Sequence, residues 1–255
     1  MQRHSHRRLD LKTILLGACA VPLFLSSASA QQTPVTAQVE ITRPPAAKTE
    51  KPPNIPKNSS DVVVWLKPLD PEVVSAAATQ PAKKRPQLVQ KNKSFEPHVL
   101  VVRVGSVVDF PNRDPFFHNV FSLFDGKRFD LGLYEAGTSN SARFDRVGIS
   151  FLFCNIHPEM SAVVVALDTP FFAVSDRAGR ISVPDVPDGR YEMHVWYERS
   201  LPEELKALTR AVAVSASSRN LGLLTIAQDS GYSLAHKNKF GQDYAPPPAQ
   251  GYGKP

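Results

Sequence analysis

The reading of this chain turns on Cys154-Asn155-Ile156-His157-Pro158-Glu159-Met160, which lies between two apolar runs, Ile149 to Phe153 and Ser161 to Leu167. Short β-branched and aromatic runs read as strands, so the segment between them is a loop joining two strands. A second histidine, His118, stands upstream in Asp114-Pro115-Phe116-Phe117-His118-Asn119-Val120, between another pair of expected strands. One thiolate, two imidazoles and one thioether can therefore converge at one end of a β-sandwich. Soft sulfur ligands suit Cu(I), and imidazole accepts both copper oxidation states. A trigonal His₂Cys set with a long axial Met is the electron-transfer geometry of copper. Rigid strands would hold the ligands still as the ion changes charge. Phe116, Phe117, Phe121, Phe151 and Phe153 are expected to keep water away from it. Two other readings stay open at this point. Cys154 can be a small buried hydrophobe with His157 a surface turn residue. The site can also be one for Zn²⁺, although a thioether is a poor zinc ligand.

Working outward, Val99 to Val104, Val107 to Phe110, Asn119 to Leu123 and Ser141 to Phe144 are further short strands, punctuated by Gly105, Gly126, Gly137 and Gly148. Strands at such spacing indicate a sandwich or barrel. A later region adds Phe171 to Ser175, Ile181 to Val183, Tyr191 to Tyr197, Ala211 to Ser215 and Leu221 to Ile226, with turns at Asp176-Arg177-Ala178-Gly179 and Pro187-Asp188-Gly189-Arg190. Pro202 to Thr209 reads as one short helix. Residues 31–86 hold ten prolines in 56 positions, which leaves little room for regular helix there. Ala37 to Thr42 and Asp61 to Lys67 are the two strands expected in that region, with a polar linker from Pro44 to Ser60 between them. Residues 228–255 are rich in Gly, Pro, Gln and Lys and read as a disordered tail.

The first thirty residues have the layout of a secretory signal peptide. Arg3, Arg7 and Arg8 open it, Thr13 to Leu25 is apolar, and Ala28-Ser29-Ala30 supplies small residues before Gln31. The apolar run is short for a bilayer span. Arg7-Arg8-Leu9-Asp10-Leu11-Lys12 resembles a twin-arginine signal, leaving Sec and twin-arginine export both open. Lipid anchoring at Cys19 is disfavoured by the short apolar stretch before it. The mature chain is expected in the periplasm or outside the cell, with no stable membrane insertion. Of the 255 residues, 30 are Lys or Arg and 24 are Asp or Glu, a net charge of +6. Without the signal the balance falls to 26 against 23, so a nucleic-acid partner loses its support. Cys154 is then the sole thiol, and no intrachain disulfide can form.

Residues 88–168 resemble the cupredoxins, the small blue-copper proteins such as plastocyanin and amicyanin. Val104-Gly105-Ser106-Val107-Val108-Asp109-Phe110-Pro111-Asn112 is similar to their strand pair before the first ligand, and His118-Asn119-Val120 to their His-Asn-Val. Gly148 through Met160 resembles their glycine turn, strand and ligand loop, with the short Cys-x₂-His-x₂-Met spacing and Pro158 after the histidine. The resemblance implies one type 1 copper per chain, bound by His118, Cys154, His157 and axial Met160. It implies that Asn119 hydrogen-bonds the two ligand loops together, with Phe117 and Pro158 supporting the site. It also implies one-electron transfer to a redox partner protein. Ile156 in place of proline and Glu159 beside the expected docking face are departures from the family pattern.

Phe171 to Trp196 is similar to the carboxypeptidase regulatory-like domain, a prealbumin-type β-sandwich. The expected organisation is therefore all-β: residues 1–30 the signal, 36–75 and 169–227 a discontinuous prealbumin-like sandwich, 88–168 a cupredoxin Greek-key sandwich between them, and 228–255 the tail. Of the remaining histidines, His98 is expected exposed at a strand start, His194 within a sheet and His236 in the tail. Three histidines beyond the site are too few for a multicopper cluster, and no Ser-His-Asp or paired-carboxylate set stands out, so the chain is not read as an enzyme. The alternative function is a copper-holding or carbohydrate- or surface-binding module; Trp65, Trp196 and Tyr197 are candidate sugar-contacting rings, with core packing the favoured role for them.

Overall fold

The computed structural model describes Met1 and residues 33–43, 58–79, 85–123, 126–233 and 235–244. The expected export signal, most of the Pro44 to Ser60 linker and the last eleven residues lie outside the described residues. No described helix is long and apolar enough to cross a membrane.

The chain opens with β1 (Val35–Thr42), β2 (Val63–Pro68) and α1 (Pro71–Thr79). Then follow β3 (Val89–Lys91), β4 (Ser94–Glu96), β5 (Val99–Arg103), β6 (Val107–Pro111), β7 (His118–Ser122), β8 (Phe129–Tyr134), β9 (Ser139–Arg143), β10 (Gly148–Phe153) and β11 (Ser161–Leu167). The last part comprises β12 (Phe172–Val174), β13 (Arg180–Val183), β14 (Gly189–Trp196), α2 (Pro202–Ala207), β15 (Arg210–Val214) and β16 (Asn220–Ala227). The fold is all-β, as the strand pattern requires. The expected strands are present to within a few residues. The β3–β4 hairpin and β8 have no counterpart in the sequence reading, because β3 and β4 are three residues each and β8 carries Asp130 and Gly132. Helix α1 also departs from expectation: Pro71 stands at its first position, where a missing N–H costs no helical hydrogen bond.

Five sheets form among the described residues, and their membership divides the chain. Strand β1 lies between β13 and β16, and β2 between β12 and β14, with β15 beyond β14. The early strands therefore pair only with strands after Phe171. Strands β5-β11-β10-β7-β8 form a five-stranded sheet, with β3–β4 and β6–β9 as two further ladders.

Strand β11 joins the two halves. Val163, Val165 and Leu167 belong to the core built by β1, β2, β14 and β16, whereas Ala162, Val164 and Ala166 belong to the core around Phe110, Leu152 and Cys154. Side chains alternate along a strand, so the five-stranded sheet here serves one core on each face. That explains the unbroken apolar run from Ala162 to Leu167, since a strand buried on both sides has no solvent face on which to alternate. Each buried valine contributes roughly 1.5–3 kcal/mol, so the five-stranded sheet is anchored from behind by several such residues.

Candidate metal centre

Cys154 follows directly on β10, and the loop after it closes on itself. The Cys154 N–H donates to the Met160 carbonyl at 3.3 Å, and the Met160 N–H donates to the His157 carbonyl at 3.0 Å. His118 is the first residue of β7 rather than a loop residue. The turn before it is built on Asn112, whose Oδ1 accepts the Asp114 N–H at 3.0 Å and whose Nδ2 donates to the Phe116 carbonyl at 2.8 Å. Such side-chain to backbone bonds are what asparagine offers at turns.

These elements bring His118, Cys154 and His157 together, with one ligand atom from each residue and all three atoms within 4.8 Å of one another. The Cys154 Sγ lies 3.8 Å from His118 Nδ1 and 3.6 Å from His157 Nδ1. A first-row ion with metal–sulfur near 2.3 Å and metal–nitrogen near 2.0–2.1 Å holds two such donors roughly 3.6–3.8 Å apart, for bond angles of about 110–120°. The donor separations thus fit one small ion. His118, Cys154 and Met160 are fully buried and His157 is half-buried, so the set is open on one side only. Met160 packs in the same core as Cys154. The backbone N–H groups of Asn119, Ile156 and His157 all point at the Cys154 sulfur. Burial nevertheless pushes the thiol above its ordinary pKa, so an ion must displace its proton. Burial, and then the neighbouring His118, depress the His157 pKa, leaving its ring neutral with a lone pair to donate.

The supporting residues differ in part from expectation. Phe116, not Phe117, packs against both imidazoles, with ring centroids 5.2 Å from His118 and 5.6 Å from His157. Phe117 is 55% exposed, because the chain alternates as it enters β7 and only one of the adjacent rings can face inward. Phe151 packs on the opposite core with Val163, and Phe121 pairs with Phe153. The Asn119 side chain does not tie the two ligand loops together. Its Nδ2 donates to Asp130 Oδ1 at 2.7 Å and to the Gly132 carbonyl at 2.9 Å, both on neighbouring β8. The link to the Cys154 loop comes from its backbone N–H instead.

Pro158 accepts a hydrogen bond through its carbonyl from His236 Nε2 at 2.9 Å. That contact belongs to the segment expected to be a disordered tail. No strand or helix follows Ala227 among the described residues, yet the segment from His236 to Tyr244 lies against the ligand loop. His236 stacks on Phe153 at 3.9 Å, the Tyr244 hydroxyl donates to the Cys154 carbonyl at 2.8 Å, and the Lys239 N–H donates to Asn155 Oδ1 at 3.0 Å.

Another residue that sequence reasoning missed is Asp114, which is 5% exposed with Oδ2 at 2.8 Å from His118 Nε2. Nothing distinguishes it in sequence from any aspartate before a proline. Of the rings considered for sugar contact, Trp196 and Tyr197 are buried in the rear core and Trp65 stacks on His194 at 5.0 Å. His98 is half-buried rather than exposed, with Nε2 at 2.6 Å from Glu198 Oε2.

No family model and no curated protein matches the chain. Solved structures similar to part of it include a cupredoxin, amicyanin variants and a copper-containing nitrite reductase. A purple cupredoxin from Nitrosopumilus maritimus is 22% identical over 32% of this chain and 99% of its own, with a TM-score of 0.30. A reduced amicyanin variant is 24% identical over 36% of this chain and 90% of its own, with a TM-score of 0.32. A copper-containing nitrite reductase from Thermus scotoductus SA-01 is 24% identical over 39% of this chain, with a TM-score of 0.32, and the match spans 27% of that enzyme.

Proposed function

We propose that the protein is an exported type 1 copper protein that carries single electrons and performs no catalysis of its own. The observation that carries this reading is the convergence of one cysteine and two histidines within 4.8 Å, on β7 and the loop that follows β10. His118 and Cys154 would hold the ion from the buried side, and His157 from the half-open side. Met160, buried in the same core as Cys154, would supply a fourth, thioether ligand. Bound copper supplies a one-electron couple between Cu(I) and Cu(II). The chain's own residues keep the ligands fixed and exclude water: Phe116 covers both imidazoles, and the self-closed loop from Cys154 to Met160 restrains the sulfur. His157 would be the exit for the electron, and Ile156, its neighbour in the chain, is exposed for a redox partner.

In the same reading, residues 88–168 are a cupredoxin domain inserted into a prealbumin-type sandwich made of 36–75 and 169–227. The N-terminal thirty residues direct the chain out of the cytoplasm. The test is to load the mature protein with Cu(II) and record visible and EPR spectra. An intense thiolate-to-Cu(II) band with a narrow hyperfine splitting is expected, and Cys154→Ser removes it. A colourless copper adduct, or a band unchanged in Cys154→Ser, refutes the proposal.

A further inference from the structure

The two imidazoles of the site are not equivalent. His118 is fully buried, with Nδ1 toward the Cys154 sulfur and Nε2 at 2.8 Å from Asp114 Oδ2. Among the described residues, the His157 ring hydrogen-bonds to no carboxylate. The Asp114 side chain is 6% exposed, and its surroundings supply donors in place of water. Its Oδ1 accepts the Asn92 N–H at 2.6 Å, and its Oδ2 accepts the Lys93 N–H at 2.9 Å as well as facing His118.

Those two N–H groups come from the tip of the β3–β4 hairpin. Lys91 pairs with Ser94, so Asn92 and Lys93 form a two-residue turn, and both have positive φ, 54° and 52°. A two-residue hairpin turn demands that conformation, and Asn tolerates it. Lys does not adopt it readily, and strain of this kind persists only where the surroundings impose it. Here the left-handed pair turns consecutive N–H groups onto a single carboxylate. The hairpin thus holds Asp114, and Asp114 holds His118.

We propose that Asp114 is a positioning residue that fixes His118 as the Nε2–H tautomer and makes its Nδ1 a stronger donor, biasing the centre toward the oxidised ion. The bias rests on the copper reading above, whereas the tautomer does not. A ring whose Nε2–H is donated to a carboxylate must keep its lone pair on Nδ1, the nitrogen that faces the sulfur. A carboxylate behind a ligating histidine also raises the basicity of the ring. The more electron-rich ligand favours Cu(II) over Cu(I).

The experiment has two arms. In the metal-free wild-type protein, ¹⁵N NMR at about pH 8 reads the tautomer without any substitution. A slowly exchanging His118 Nε2–H is expected, and an Nδ1–H tautomer overturns the proposal. In the second arm, Asp114→Asn removes the charge with little change in shape, and circular dichroism reports whether it folds. Losing this kind of partner costs metal affinity 10- to 100-fold in general. The expectation here is Cu(II) binding weakened about tenfold with Cu(I) binding little changed, a potential raised by about 59 mV in mediator titration. A folded variant with an unchanged potential overturns the bias. If wild type binds Cu(II) without a thiolate band, the copper reading fails and the bias with it, while the NMR arm still decides the tautomer.

Discussion

Replacing His98 by Ala is expected to destabilise the metal-free protein by an amount that depends on pH. His98 stands just before β5, and Glu198 just after β14, so the pair joins the five-stranded sheet to the sheet of β2, β12, β14 and β15. His98 Nε2 lies 2.6 Å from Glu198 Oε2 and Nδ1 lies 3.2 Å from the Ser161 carbonyl, so both ring nitrogens face acceptors. The side chains are 30% and 5% exposed. The hydrogen bond to Glu198 raises the His98 pKa above 6.5, against the opposing effect of burial. Burial pushes Glu198 up, but the His98 hydrogen bond and charge and the Tyr232 hydroxyl outweigh it, and its pKa falls below 4.5. The raised histidine contributes stability that is complete below its unfolded pKa and lost as pH rises through the folded one. The depressed glutamate contributes stability that is present above its unfolded pKa and lost as pH falls through the folded one. Both contributions are therefore complete between about 4.5 and 6.5. Within that window His98→Ala leaves a buried carboxylate still served by Tyr232, which costs roughly 2–3 kcal/mol. For a chain of this size that lowers Tm by roughly 4–12 °C. Thermal unfolding by circular dichroism, at about pH 6 and about pH 9, measures it, with Glu198→Gln completing a double-mutant cycle. The loss should shrink at the higher pH, where the wild-type ring gives up its proton. A loss equal at both values, or a coupling near zero, refutes the reasoning.

Other substitutions probe other parts of the fold. Gly179→Ala places a Cβ 2.1 Å from the Val39 carbonyl oxygen at a φ of +79°, and is expected to cost about 3 kcal/mol in urea unfolding. Tyr244→Phe removes the hydrogen bond to the Cys154 carbonyl, worth about 1 kcal/mol. Faster amide exchange confined to the loop from Cys154 to Met160 is the expected readout, and unchanged exchange there means the C-terminal segment does not restrain the loop. Met160→Gln should retain copper but lower the potential, because a harder axial oxygen favours Cu(II). An unchanged or higher potential in voltammetry counts against axial ligation by Met160.

Local chemistry was readable from the chain alone wherever the partners are close in sequence. Cys154, His157 and Met160 share one short loop, so their spacing already brings them together, and the flanking β-branched runs identify the strands that hold it. His118 was readable because its neighbours form a recognisable segment before a strand. The turn at Gly179 was readable because Asp176 and glycine there supply a side-chain acceptor and a left-handed backbone. Tertiary structure alone decided the rest. Asp114, the β3–β4 hairpin that holds it and the segment from His236 to Tyr244 carry no periodicity; Asp114 meets His118 four residues on, but the hairpin and the C-terminal segment reach the site across some twenty to ninety residues. Which of two adjacent phenylalanines covers the imidazoles depended on how the chain enters β7. The His98–Glu198 pair joins residues a hundred positions apart. Hydrophobic periodicity encodes a residue's face on its own strand, but not which core that face meets, because that is set by how sheets stack after they form.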